Sequence, residues 1–392
     1  MGPQIVFEEQ ALLAAARRKS GLSNFGDPGF REPLRRLLHS LEHEAQLSES
    51  GRTSQYERVI GNLVTRLSAE EFITRHPEIL QEEITAPAVI VGPTRSGTTR
   101  LQRLLCEDPR HFAVLWWENR CPVPLPGSNW RTADPRIPLA QDEVRRILEA
   151  VPELASIHPW DPLGPDEDAL LCEHAFLSHV PESSLHVPSY RDWLQDQDQT
   201  PAYEFLARML RILQWQKKQR GERGERWILK TPQHLGFLED FSRIFPDARI
   251  IQTHRDPCVT LPSAASMFSA LWKVSSDEVD RHAVGRQVRN RLALDLSRSF
   301  KFRERHPSHR ICDVRFEDMQ CDPVAELERV YAWLGTSFPA ETRRAVDAWL
   351  VKNAREKRPP HRYGLQEFGL EDADLKRVFA TYRERFILTQ AD

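Results

Sequence analysis

The sequence predicts an α/β protein, a parallel sheet flanked by helices with a helical N-terminal extension. From Ala86 onward, short runs rich in Val and Ile (AVIV, WILK, RIIQT, RICDVRF) alternate with helical patterns such as QHLGFLEDFSRIF and PVAELERVYAWLG. That alternation marks parallel strands covered by helices. AVIV also runs directly into GPTRSGTT and then RLQRLL, a strand feeding a glycine-bearing loop and a new helix. Before Ala86 the pattern is helical throughout. PLRRLLHSLEHEAQL and YERVIGNLVTRLSAEEFI carry apolar residues at three and four spacing, separated by the linker SESGRTS.

These features divide the chain into a helical extension over 1–84 and a main domain over 85–392. Pro122 to Pro165 is rich in Pro and Trp, and with the helical pattern around DEDALLCEHAFLSH it forms an insertion at about 122–220, expected over the carboxyl edge of the sheet. Ligands of such sheets bind beyond the carboxyl ends of the strands.

Composition limits the partners. The 54 Lys and Arg residues are balanced by 57 acids, for a net charge of −3, so no global field favours nucleic acid or an anionic membrane. An anion site must therefore be a few positioned cations. The six cysteines, Cys106, Cys121, Cys172, Cys258, Cys312 and Cys321, show no metal-ligand spacing and read as free thiols in a reducing compartment. The N-terminus carries Glu8 and Glu9 early, and no run of about eighteen apolar residues occurs. The expectation is a cytoplasmic protein with no integral membrane segment and no nucleic-acid partner, its oligomeric state open.

The loop carries the chemistry. Gly92 and Gly97 have the spacing of the phosphate-binding G-x-x-x-x-G-K-[ST] loop, but Thr98 stands where Lys would be and Arg95 sits inside the loop. Loop amides and the free N–H groups of the new helix converge on an anion there, with hydroxyls from Thr98 and Thr99. A γ-phosphate needs the missing Lys and a metal, and no later strand ends in a plain hydrophobic run followed by Asp: RIIQTHRD puts Arg255 before Asp256. The P-loop-like turn therefore suits a singly esterified phosphate group that needs no metal. Arg255 and Ser263, eight residues apart, can place a guanidinium and a hydroxyl on one side, beside the loop if their strands are neighbours. Lys230 closes the strand WILK, and Pro232 turns the chain after it.

The order GPTRSGTT, LKTP, THRDP followed by Ser263, and VRFEDMQCDP resembles the sulfotransferase superfamily over about residues 86–340, in the bacterial branch similar to tyrosylprotein sulfotransferases. The resemblance implies transfer of a sulfuryl group from 3′-phosphoadenosine 5′-phosphosulfate (PAPS) to a hydroxyl, with no metal. By matching positions, Arg95, Ser96, Gly97, Thr98 and Thr99 would hold the 5′ end of that nucleotide, and Arg255 and Ser263 its 3′-phosphate. Arg95 and Lys230 would stabilise charge developing on the departing phosphate oxygen. Glu118, in VLWWENR, stands near where tyrosylprotein sulfotransferases carry a catalytic Glu and is the expected base; its other reading is a cap or a partner of Arg120. Other sulfotransferases use His, and among His158, His174, His179 and His186 the best placed is His174, on an acid-rich helical pattern. Phe316 stands where relatives present a Tyr hydroxyl. Lys357, Arg358, His361 and Arg362 form a basic C-terminal run expected to close over the 3′-phosphate. Trp116, Trp117, Trp130, Trp160 and Phe176 suggest a small or lipid-like, apolar or aromatic acceptor. The rivals are a Mg-ATP-dependent P-loop kinase acting on a small molecule and a catalytically inactive nucleotide-binding scaffold.

Overall fold

A computed structural model describes residues 5–157, 160–306, 311–354 and 363–388. Five strands, β1 (Ala88–Val91), β2 (His111–Phe112), β3 (Arg226–Lys230), β4 (Arg249–His254) and β5 (Ile311–Arg315), form one parallel sheet in the order β2-β3-β1-β4-β5. The two-residue alternation of strand side chains divides them between two cores. Val89, Val91, Trp227, Leu229 and Ile250 enter the larger apolar cluster, whereas Ala88, Ile90, Ile228 and Ile251 enter a smaller one on the other face. Every residue of β1 is buried, as a central strand covered on both sides requires.

The expected N-terminal helices are α1 (Glu9–Ser20), α2 (Arg31–His43) and α3 (Glu49–Arg75). The Glu8 carboxylate caps α1 by accepting from the amides of Gln10 and Ala11, and Gly21 ends it at φ +70°. Leu12, Leu34 and Leu63 belong to the same buried cluster as Val89 and Leu229, so these helices have no core of their own. The helix Thr200–Gln219 also buries Leu206, Met209 and Leu213 in that cluster, which sets the last part of the 122–220 stretch into the main core.

The strand order places β1 between β3 and β4, so the chain after β1 leaves the sheet at its topological switch point, where α/β sheets hold ligands. In register, Ile90 faces Lys230 and Val91 faces Gln252. The loop after Val91, the side chain of Lys230 and the residues after His254 therefore emerge at one edge.

Candidate active site

The loop 92–97 is built by close approach. Gly92 has φ +144°, and a Cβ there would run into the hydroxyl and carbonyl of Thr253 on β4. Ser96 donates from its hydroxyl to the Pro93 carbonyl at 2.6 Å and lies 2.6 Å from the Thr253 hydroxyl, while its amide bonds the same carbonyl at 3.0 Å. Ser96, 1% exposed, thus shapes the loop. Gly97, at φ +96°, is followed by α4 (Thr98–Leu105), whose N-terminus has no side-chain cap. The first-turn amides of a helix have no intrahelical acceptor, and those of Thr98 and Thr99 open α4 without a side-chain cap.

Arg95 occupies the left-handed region at φ +74°, uncommon for a residue with a side chain. Contacts to the Arg255–Ser263 motif hold it. Its Nε donates to the Ser263 hydroxyl at 3.1 Å, and its carbonyl accepts from Arg255 Nη1 at 3.0 Å. The Arg255 guanidinium also lies 3.8 Å from the centroid of the Phe316 ring, the residue that packs against Gly97. Phe316 therefore orients Arg255 by its face where a Tyr would offer a hydroxyl. Arg95, Arg255 and Ser263, from two separate motifs, form one cluster. Asp256 accepts from Arg383 at 3.1 Å instead of pairing with its neighbour Arg255, and Tyr382 lies 3.1 Å from His254 Nδ1, so the helix Ala380–Phe386 braces the end of β4.

Lys230, 1% exposed, directs Nζ to the Glu167 carboxylate at 2.9 Å. The segment carrying Glu167 is fixed from three sides. Gln102 of α4 donates to the Asp166 carbonyl, Asn119 donates to the Glu167 carbonyl, and the Asp168 carboxylate accepts from the Lys230 amide at 2.8 Å. Asp168 also lies 2.6 Å from His234 Nε2; burial alone would raise its carboxyl, but His234 and these bonds hold it below the usual range. Sequence reasoning singled out neither Asp168 nor His234, because their partners come together only in the fold.

Glu118 and His174 are placed otherwise than expected. Glu118, in α5 (Trp116–Arg120), is fully buried, with Lys217 Nζ at 2.8 Å and Arg220 at 3.3 Å, and it accepts from the Leu115 amide at 3.0 Å. Its carboxylate is committed to cations from a distant helix, and Arg120 pairs with Glu143 instead. His174 is buried with Nε2 at 3.2 Å from the Asn119 carbonyl, and burial pushes it down to about 4. Neither lines the cleft described next. Lys357, Arg358, His361, Arg362 and His158 lie outside the described residues. The aromatic residues are packing elements: Trp116 meets Trp160, Trp117 lies under Arg136 and Arg220, Trp130 meets Trp215, and Phe176 meets Phe30.

Beside the loop a cleft opens, walled by Gly92, Pro93 and Thr94, by Pro232 and Gln233 after β3, and by apolar residues that include Leu261, Ala264, Phe268, Val288 and Leu292. One end is polar, with His179, Glu182, Arg291 and Asp295. The arrangement joins the loop 92–97, with Arg95 in it and Arg255 and Lys230 at the same sheet edge, to a largely apolar cleft.

Among the described residues, no helix is long and apolar enough to cross a membrane, and no group of three or more His, Cys, Asp or Glu side chains is placed to hold a metal ion. The chain is similar to the omega-hydroxy-beta-dihydromenaquinone-9 sulfotransferases of Mycobacterium tuberculosis and Mycobacterium bovis, each 26% identical over 261 residues, or 64% of this chain. The match spans 62% of the length of those curated relatives. The fold is that of the crystal structure of sulfotransferase STF9 from Mycobacterium avium, with a TM-score of 0.87 and 28% identity over 99% of this chain and 98% of that one. Sulfotransferase STF1 from Mycobacterium tuberculosis gives 0.82 and 28% over 95% and 98%. Residues 87–340, which contain the loop, all five strands and the Arg255–Ser263 cluster, match the Sulfotransferase family, and the chain belongs to that family.

Proposed function

We propose that the protein is a PAPS-dependent sulfotransferase of the EC 2.8.2 type, which moves a sulfuryl group to the hydroxyl of a small or lipophilic acceptor. The observation that carries this reading is the single cluster of uncapped α4 amides, Arg95, Arg255 and Ser263 at the switch point of the sheet. It offers a phosphate-type anion fixed donors without the Lys of a triphosphate loop. The residues fit a bisphosphorylated nucleotide: the loop amides and Lys230 for the 5′ end, and Arg255 and Ser263 for the 3′-phosphate. A lipophilic acceptor is supported by the apolar walls of the cleft and by the relatives named for a menaquinone derivative. The enzyme works in the cytoplasm and needs no metal.

The test is ligand-induced stabilisation followed by turnover. Adenosine 3′,5′-bisphosphate at a hundred times its dissociation constant should add about 2.7 kcal/mol of stability, and AMP much less. Transfer from radiolabelled PAPS to alcohols and phenols should survive EDTA. Equal stabilisation by AMP and the bisphosphate, or activity abolished by EDTA and restored only by Mg²⁺ and ATP, would overturn the reading.

A further inference from the structure

Lys230 carries its ammonium almost out of reach of water, the residue being 1% exposed. A buried charge is costly unless a counter-charge comes with it. Among the described residues, Glu167 Oε1 is the one hydrogen-bond partner of Nζ, at 2.9 Å. An ammonium has three donors, so two N–H groups stay uncommitted. The Glu167 side chain remains 30% exposed.

Three features place this pair beside the loop. In β3, Ile228 enters the cluster that holds Leu101, Leu104 and Leu105 of α4, and Lys230, two residues on, leaves the sheet on that same face. α4 is the helix that opens from the loop. Gln102, one turn beyond Thr98, donates to the Asp166 carbonyl at 3.0 Å and so sets the residue before Glu167 against the first half of α4. Pro232 and Gln233, just past Lys230, wall the cleft together with Gly92, Pro93 and Thr94. Glu167 is itself held in place. The Asp166 amide donates to the Val114 carbonyl at 2.9 Å, Asn119 donates to the Glu167 carbonyl at 3.1 Å, and the Ala169 amide donates to the Thr231 hydroxyl at 3.1 Å. Asp168 accepts from the Lys230 amide. Consecutive carboxylates thus grip the head and the backbone of one lysine.

We infer that Glu167 is a positioning residue for sulfuryl transfer: its carboxylate fixes the Lys230 ammonium so that one of the two remaining N–H groups meets the oxygen departing from sulfur. The inference rests on the sulfotransferase reading above. In that step the acceptor oxygen bonds to sulfur and the bond from sulfur to the 5′-phosphate oxygen breaks. The electron pair stays on the phosphate oxygen, where Lys230 stabilises it, and the hydroxyl proton is released to solvent. Glu167 is also a negative charge beside the 5′ end of the nucleotide, so it repels the bound ground state while aiming the group that serves the transition state. Its removal therefore moves rate and affinity apart, whereas loss of a merely structural contact weakens both.

The experiment uses the full chain, radiolabelled PAPS with 1-dodecanol and 2-naphthol as acceptors, and titration with adenosine 3′,5′-bisphosphate. Glu167→Ala should lower kcat by about tenfold or more, with the bisphosphate bound at least as tightly as in wild type. Glu167→Gln, which keeps an oxygen for Nζ, should recover much of that loss. Lys230→Met should lower kcat by about a hundredfold, and adding Glu167→Ala to it should lower kcat no further, because no ammonium is left to position. This last comparison has no uncompensated buried ammonium, so it decides the matter even where Glu167→Ala alone unfolds. Wild-type kcat in Glu167→Ala, rate and affinity lost together, or a further drop in the double variant would overturn the inference. A loss in Glu167→Gln as large as in Glu167→Ala that persists without Lys230 would overturn it too and make Glu167 the base. Failure of the wild-type protein to bind the bisphosphate, or to sulfate either acceptor, is a separate result that removes the sulfotransferase reading and this inference with it.

Discussion

Replacing Glu118 by Gln leaves the side-chain shape nearly unchanged and removes the charge facing Lys217. Lys217 is 3% exposed and its Nζ lies 2.8 Å from the carboxylate, with Arg220 at 3.3 Å. Breaking a buried pair from one side leaves the other charge uncompensated and costs about 3–5 kcal/mol. With an unfolding entropy of about 2.1 cal/mol/K per residue, the 392 residues give about 0.8 kcal/mol/K, so a loss of ~4 kcal/mol lowers Tm by about 5 °C. Turnover at 25 °C, measured well below the lowered Tm, should stay within about twofold of wild type, because a general base would have contributed a hundredfold or more. Lys217→Met added to Glu118→Gln should restore much of the stability, since the uncompensated ammonium is gone. Scanning calorimetry and single-temperature kinetics check both halves. A variant with wild-type Tm and turnover about a hundredfold lower would refute the reasoning and make Glu118 the base.

Arg255→Ala should weaken adenosine 3′,5′-bisphosphate by about 2 kcal/mol, close to thirtyfold for a lost charged hydrogen bond, while AMP affinity changes little; calorimetric titration of both ligands decides it. Gly97→Ala should weaken both ligands together, because the Cβ meets the Phe316 ring at 3.1 Å and φ +96° disfavours any side chain; equal affinity for wild type and variant would show that the loop geometry is unimportant. Asp108 is 1% exposed, and burial would raise its carboxyl, but Arg110 at 2.7 Å and Tyr331 at 3.0 Å bring it down to about 2. A depressed carboxylate stabilises the fold above its ordinary value of about 4 and loses that contribution as pH falls toward 2. Asp108→Asn should therefore cost about 2 kcal/mol at pH 7, with the gap to wild type narrowing from about pH 4 down to about pH 2 in urea unfolding.

The parts legible in the sequence are those whose meaning is local. The loop could be read because Gly92, Gly97 and Thr98 follow one another within a strand–turn–helix, and Lys230 because a strand end fixes where its side chain emerges. The contact between Arg95 and Ser263 required only that β1 and β4 be neighbours. Glu118 was opaque because its partners, Lys217 and Arg220, come from a helix about a hundred residues later, and nothing in VLWWENR announces them. The apolar run before it signalled burial, but burial with a cation, not against a substrate. The tryptophans misled for a related reason: Trp117 and Trp130 stack on residues of their own layer and fill space between helices. The polar end of the cleft left faint traces in the four-residue spacing of Arg291 and Asp295 and the three-residue spacing of His179 and Glu182, but its grouping depends on two elements far apart in the chain.

The brace that Tyr382 and Arg383 apply to His254 and Asp256 bears on how the protein is made. The loop 92–97 precedes the brace in the chain, so a growing chain on the ribosome carries the loop before it has the residues that hold the Arg255 turn. A fragment cut before Ala380 thus keeps the loop, Arg255 and Ser263 but lacks the strut behind them.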